Sequence, residues 1–171
     1  MVEVECKLSE LTKASLNAIN DDEIEYELYF YILTQIIGDN YDKQYDIVTK
    51  LPNGLRYLFA SIQLGDEVYN GGFNQYFYNT NGEFIDEAIA SFNYFGLPKF
   101  AEIVTRAADI AIAEIDLHIA TEKKGTLEAF SDSYQYTKLG EADDEFYKYD
   151  KSISPARIEK IRKHVEDFLI G

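Results

Sequence analysis

The sequence is poor in the residues that most chemistry needs. It holds one cysteine, two histidines and no tryptophan, and it sets 16 Lys and Arg against 31 Asp and Glu. Cys6 alone cannot form a disulfide within the chain, and the expected setting is a reducing one, the cytoplasm. His118 and His164 fall in no HExxH or paired-cysteine pattern, so zinc has no recognisable site. Glu114 and Asp116 are near His118 in sequence, but helical spacing aims the three side chains apart, and His118 reads as a histidine at a helix end. Cys6 has no histidine close in sequence and is not expected to act as a nucleophile. Gly71-Gly72 lacks the GxxxxGK[ST] phosphate loop and sits among acids that repel phosphate. Asp39 to Asp46 lacks the glycine and the closing glutamate of a calcium loop. No apolar run approaches the roughly 18 residues of a membrane span, and no basic, apolar leader opens at Met1, so neither a span nor a signal peptide is expected. The reading is of a protein with no catalytic residue, no cofactor and no metal.

Acid and aromatic side chains are what the chain has in plenty. The formal net charge is -15, yet 14 Tyr and 11 Phe stand beside it. That combination is unlike the aromatic-poor composition of an acidic disordered chain, so a folded body with an acidic surface is implied. Such a surface repels nucleic acid and anionic membranes and steers basic proteins toward it. Solubility is the plainer explanation of the same charge. At 171 residues the chain is expected to form a single domain, residues 1–171, with a full core.

Taken in order, residues 1–8 are expected to be a frayed tail, with a doubtful strand-like run from Met1 to Cys6. Ser9 is the expected N-cap of a short helix burying Leu11, Leu16 and Ile19. Asp22 and Glu25 have the spacing of a capping box, and Ile24, Leu28, Tyr31 and Gln35 share one face of the helix after it. Pro52 opens a helix striped by Leu55, Leu58, Phe59 and Ile62. A helix from about Glu83 to Phe95 turns Phe84, Ala88, Ser91, Phe92 and Phe95 inward. Pro98 then starts the clearest helix, with Phe100, Val104, Ala107, Ala111 and Ile115 on one stripe and Glu102, Arg106, Asp109 and Asp116 on another. Residues 121–152 are less regular, with a short helix suggested by Leu127, Phe130 and Tyr134. Ser154-Pro155 opens a last, basic helix whose Ile158, Ile161, Val165 and Phe168 face in. The expected fold class is all-α, a single-domain multi-helix bundle.

The bundle is organised around Asn70-Gly71-Gly72-Phe73. Adjacent glycines break a helix, Asn79-Thr80-Asn81-Gly82 breaks it again, and Phe73, Tyr76 and Phe77 lie on one side of the turn between. This short aromatic helix between glycine breaks reads as a packing hub. Asn70, Asn74, Gln75 and Asn79 ring it, either as a small polar pocket or, the favoured reading, as amides capping the broken helix ends. The run Asn70-Gly71-Gly72-Phe73, Gln75-Tyr76-Phe77 and Asn79 resembles the signature of a bacterial family whose best-known member is a DNA-mimic protein of about this size.

That resemblance implies function in the acidic surface. Residues 1–50 sum to -7, 51–100 to -3, 101–150 to -7 and 151–171 to +2. The candidate partner-binding residues are Asp21, Asp22, Glu23 and Glu27, then Glu102, Asp109 and Asp116, then Glu141, Asp143, Asp144 and Glu145. A DNA duplex carries one charge per ~1.7 Å of axis. Acids four apart on a helix are ~6 Å apart along it, and acids seven apart ~10.5 Å. One helix is too dilute to copy a phosphate strand, which argues for several helices or a homodimer, as the resemblance also implies. The partner it implies is a basic DNA-binding protein, a helix-turn-helix transcription regulator, held by carboxylates in place of DNA. Two rivals are an immunity-type inhibitor of a basic toxin or nuclease, and a small-molecule enzyme with a pocket lined by Asn74 and Gln75.

Overall fold

The structure is a computed structural model that describes residues 6–170, and all its regular elements are helical. The strand-like run therefore lies almost wholly outside the described residues. Helix α1 is Lys13–Ala18, α2 is Ile24–Tyr31, α3 is Gln44–Val48 and α4 is Asn53–Thr80. Helices α5 (Ile85–Tyr94), α6 (Pro98–Ala113), α7 (Ile115–Lys124), α8 (Leu127–Ser133), α9 (Gly140–Tyr149) and α10 (Ile153–Lys163) follow. The all-α expectation holds.

Helix α4 is the axis, because its apolar residues recur on more than one side. Leu55, Leu58, Phe59, Ile62, Leu64 and Val68 are all buried. Helix α5 packs on both α4 and α6, α9 likewise packs on both α4 and α6, α2 and the last turn, Val165–Phe168, pack on α4, and α10 packs on α2 and that last turn. Gly54 permits the closest approach: a Cβ there would lie 2.5 Å from the carbonyl oxygen of Asp167. The inward stripe of α5 is as read, with Phe84, Ala88, Ser91, Phe92 and Phe95 buried.

Several local expectations give way to specific chemistry. The cap of α1 is Thr12, not Ser9. Its hydroxyl accepts from Ser15 N at 3.1 Å while Ser15 Oγ accepts from Thr12 N at 3.0 Å. The Asp22 capping box does not form, and α2 begins after Glu23 with no side-chain cap. Gln35 is exposed because the helix widens into a π-helical stretch, Ile32–Ile37. At that spacing Ile32 and Ile37, five apart, point inward instead. The helix from Pro98 ends at Ala113, so Ile115 and Asp116 belong to α7, and Ile115 is half exposed rather than buried. Leu8 is buried and Lys7 N donates to Glu27 Oε2 at 2.6 Å, so the described end of the supposed tail is tied to α2.

Candidate functional site

The glycine pair kinks α4 rather than ending it. Gly71 and Gly72 leave helical geometry, Gly72 with φ of +71°, and the helix resumes at Phe73 and stops at Asn81 in left-handed conformation. A kink frees backbone groups on both sides, and the partners come from α9 and from Tyr134, just past the end of α8. Asp143 Oδ1 accepts from Phe73 N at 2.7 Å, Tyr147 Oη donates to Val68 O at 2.6 Å, and Tyr134 Oη donates to Gly71 O at 2.6 Å. The amides do other work. Gln75 and Asn79 both donate to Glu67 Oε2 at 2.8 Å, bracing the two halves of α4, and Asn74 donates to Ser133 Oγ at 2.9 Å. Thus the favoured capping role of the amides is corrected: Asp143, Tyr134 and Tyr147 satisfy the freed backbone groups, and Asn81 rather than Asn79 terminates the helix.

Phe73, Tyr76 and Phe77 are buried, as a packing hub requires. The centre of the aromatic cluster, however, is Phe146 of α9. Its ring lies 5.6 Å from Phe73, 6.1 Å from Phe92 and 5.1 Å from Phe100, all edge to face. Sequence reading passed over it among acids. The signal was Ala142 and Phe146, one turn apart and both buried.

The acidic residues divide by where their carboxylates point. In the first block Glu25 and Glu27 are only 6% and 8% exposed. Glu25 Oε1 pairs with Arg157 Nη1 of α10 at 3.1 Å and Glu25 Oε2 accepts from Ser154 Oγ, while Arg157 Nη2 donates to Ser61 O at 2.8 Å. Arg162 Nε donates to Asp21 Oδ1 at 2.7 Å, and Glu23 pairs with Lys7. Lys7 holds the Glu23 carboxyl below its usual range. Asp22 is exposed. The basic last helix is thus the counter-charge to this block.

In the second block Asp143 is half-buried in the kink. Burial pushes its carboxyl up, against the opposing pull of the Phe73 N–H. Glu145 bridges Lys99, at 2.6 Å, and Arg106, both on α6, and these cations hold its carboxyl down. Glu141 and Asp144 are exposed, as are Glu102, Asp109 and Asp116. Glu102 and Asp109 line a shallow groove between α5 and α6, and α9 packs on α6 beside them. The structure therefore brings the acids of α6 and α9 onto neighbouring helices, and it turns Glu27, Asp143 and, in part, Glu145 inward. Glu23 stays near the surface in its pair with Lys7.

Among the described residues no group of three or more His, Cys, Asp or Glu converges as a metal site, and no helix is long and apolar enough to cross a membrane. His118 Nε2 lies 3.3 Å from Asn81 Oδ1, and its ring meets that of Tyr78 edge to face. Comparison with known proteins found no significant match among curated proteins or solved structures. A family model described as DMP19-like protein matches residues 49–167, from the end of α3 to the last turn, and includes the kink, α6 and α9. That family is one of DNA mimics and is not a known enzyme family. On a match covering well over half its length, the chain belongs to the DMP19-like family.

Proposed function

We propose that this protein binds a basic DNA-binding protein, a transcription regulator, and blocks its access to DNA. The observation that carries the reading is the family match, which spans the kinked α4, α6 and α9. The contact surface is the exposed carboxylates of α6 and α9, Glu102, Asp109, Glu141 and Asp144, extended by Asp116 on α7. These occupy the Lys and Arg groups that the partner uses for phosphates. Glu27 and Asp143 have internal partners, and Glu23 and Glu145 are already neutralised by cations, so none of the four belongs to the surface. Asp21 is likewise paired, with Arg162, which leaves Asp22 as the exposed acid of the first block and a separate secondary patch. A homodimer in the cytoplasm sets two such surfaces side by side, which brings the charge density nearer to that of a duplex.

The test is affinity capture on the full chain at low salt, eluted with a salt gradient, followed by competition with duplex DNA. The expected result is a cationic DNA-binding protein that elutes steeply with salt and is displaced by DNA. Retrieval of a basic nuclease that binds one to one and resists DNA competition would replace mimicry by inhibition. Recovery of no cationic protein would end the reading.

A further inference from the structure

The second half of α4, α6, α7 and the 134–139 loop line a half-open cavity of about 230 Å³. Its walls are mainly apolar, with Phe77, Tyr78, Ile85, Ala108, Ala111 and Leu139 among them. Most polar groups in the wall are already satisfied within the protein. Glu114 accepts from Thr137 Oγ1 at 2.7 Å and from Lys138 N at 2.9 Å, Asn74 is bonded to Ser133, and Thr121 Oγ1 donates to Leu117 O at 2.9 Å. What is left is one polar spot, Asn81 Oδ1, which carries a second acceptor lone pair beyond its 3.3 Å contact with His118 Nε2. Gln75 does not line this space; it is turned to Glu67.

These features select a ligand. A cavity of ~150 Å³ lined by apolar side chains holds a benzene ring, so this one has room for two fused rings. The Phe77 and Tyr78 rings offer aromatic faces and edges. Glu114 in the wall, on a protein of net charge -15, opposes an anion. Asn81 Oδ1 is an acceptor, so a single N–H or O–H on the ligand is matched. We propose that this cavity binds a small, uncharged aromatic molecule of one or two fused rings bearing one N–H or O–H group. The inference goes beyond the DNA-mimic reading and does not rest on it. Occupancy braces α7 and α8 against α4 and covers part of Ile112 and Ile115, which are exposed at the rim.

The test uses indole as the probe on the full chain, followed by methyl NMR and thermal melting. Saturable shifts confined to Ile85, Ile112, Leu139 and their neighbours are expected, with a melting temperature that rises with indole concentration. Ala111→Phe fills the space and is expected to abolish the shifts while keeping a cooperative melt; Ala108→Leu does the same from another wall if the first variant does not fold. Indole-3-carboxylate is expected to bind at least about tenfold more weakly than indole, because its charge meets Glu114 in an apolar setting. No saturable shift up to the solubility of indole, undiminished shifts in the filled variants, or equal binding of the carboxylate would overturn the proposal. So would a doubling of mass that shuts indole out, which would assign the cavity to a second copy of the chain.

Discussion

The two acidic blocks, Asp21–Glu27 and Glu141–Glu145, look alike in sequence and are held in the fold by different forces. The first is fastened by charge: Glu25 to Arg157, Asp21 to Arg162, Glu23 to Lys7. The second is fastened chiefly by packing, since Phe146 drives α9 into the aromatic core and Asp143 caps the kinked helix there, with the Glu145 pairs to Lys99 and Arg106 added at the surface. Carboxylate density alone does not mark a binding surface. What separates the engaged acids of these two blocks from the free ones is whether a cation or a freed N–H lies within reach, and those partners are 16 to 141 residues away in sequence.

The sharpest way to break the comparison is to remove each fastening. Arg157→Ala leaves Glu25 buried without its partner and is expected to cost ~3–5 kcal/mol in urea unfolding. Phe146→Ala is expected to cost a similar ~3–5 kcal/mol by opening a cavity among Phe73, Phe92 and Phe100. A loss under about 1 kcal/mol in either variant, the size of a surface pair, would mean that its block is held otherwise.

Next in size is the kink. Gly72 has φ of +71° with an extended ψ, a region nearly closed to other residues, and a Cβ there would sit 2.5 Å from Asp143 Oδ2. Gly72→Ala is therefore expected to cost ~2–4 kcal/mol, backbone strain plus a displaced cap. If Gly72→Ala and the double variant with Asp143→Ala cost the same, the cap is part of the loss. A strictly additive pair would separate the two.

The core was legible wherever Pro or Gly punctuates a regular helical period. Phe84 to Phe95, and Phe100 to Ala107 after Pro98, came out with the inward residues as read. The period failed at Ile32, where five-residue spacing replaced it, and past Ala113, where a break at Glu114 split the stripe. The candidate surface was legible only as charge. Glu102, Asp109 and Asp116 remain exposed, but Asp143 and Glu27 are held by backbone N–H groups of Phe73 and Lys7, which no local pattern announces. The charge sum of the last helix was the one usable clue, and it pointed to the first block.

Charge reversal sharpens the comparison at the surface. Glu141→Lys and Asp144→Lys, like Asp22→Lys, are expected to change stability by no more than ~0.5 kcal/mol. Partner binding is expected to fall in the first two, together with Glu102→Lys, and to change little in Asp22→Lys. The opposite pattern would move the contact surface to the first block.

The smallest effect is also the most discriminating, because neighbours in the second block titrate with opposite signs. Burial raises the Asp143 carboxyl, so its charged form is disfavoured in the fold; its ionisation costs stability as pH rises through its titration, and acid restores it. Lys99 and Arg106 lower the Glu145 carboxyl, so its contribution is present above the unfolded value and lost as pH falls through the folded one. Asp143→Asn keeps an acceptor for Phe73 N. It is expected to gain on the native chain as pH rises from below about 4 to neutral. Glu145→Gln is expected to lose over the same window. Urea midpoints for both variants at the two ends of that window decide the matter: differences of the same sign would show that Asp143 is held as an exposed ion pair rather than as a buried cap.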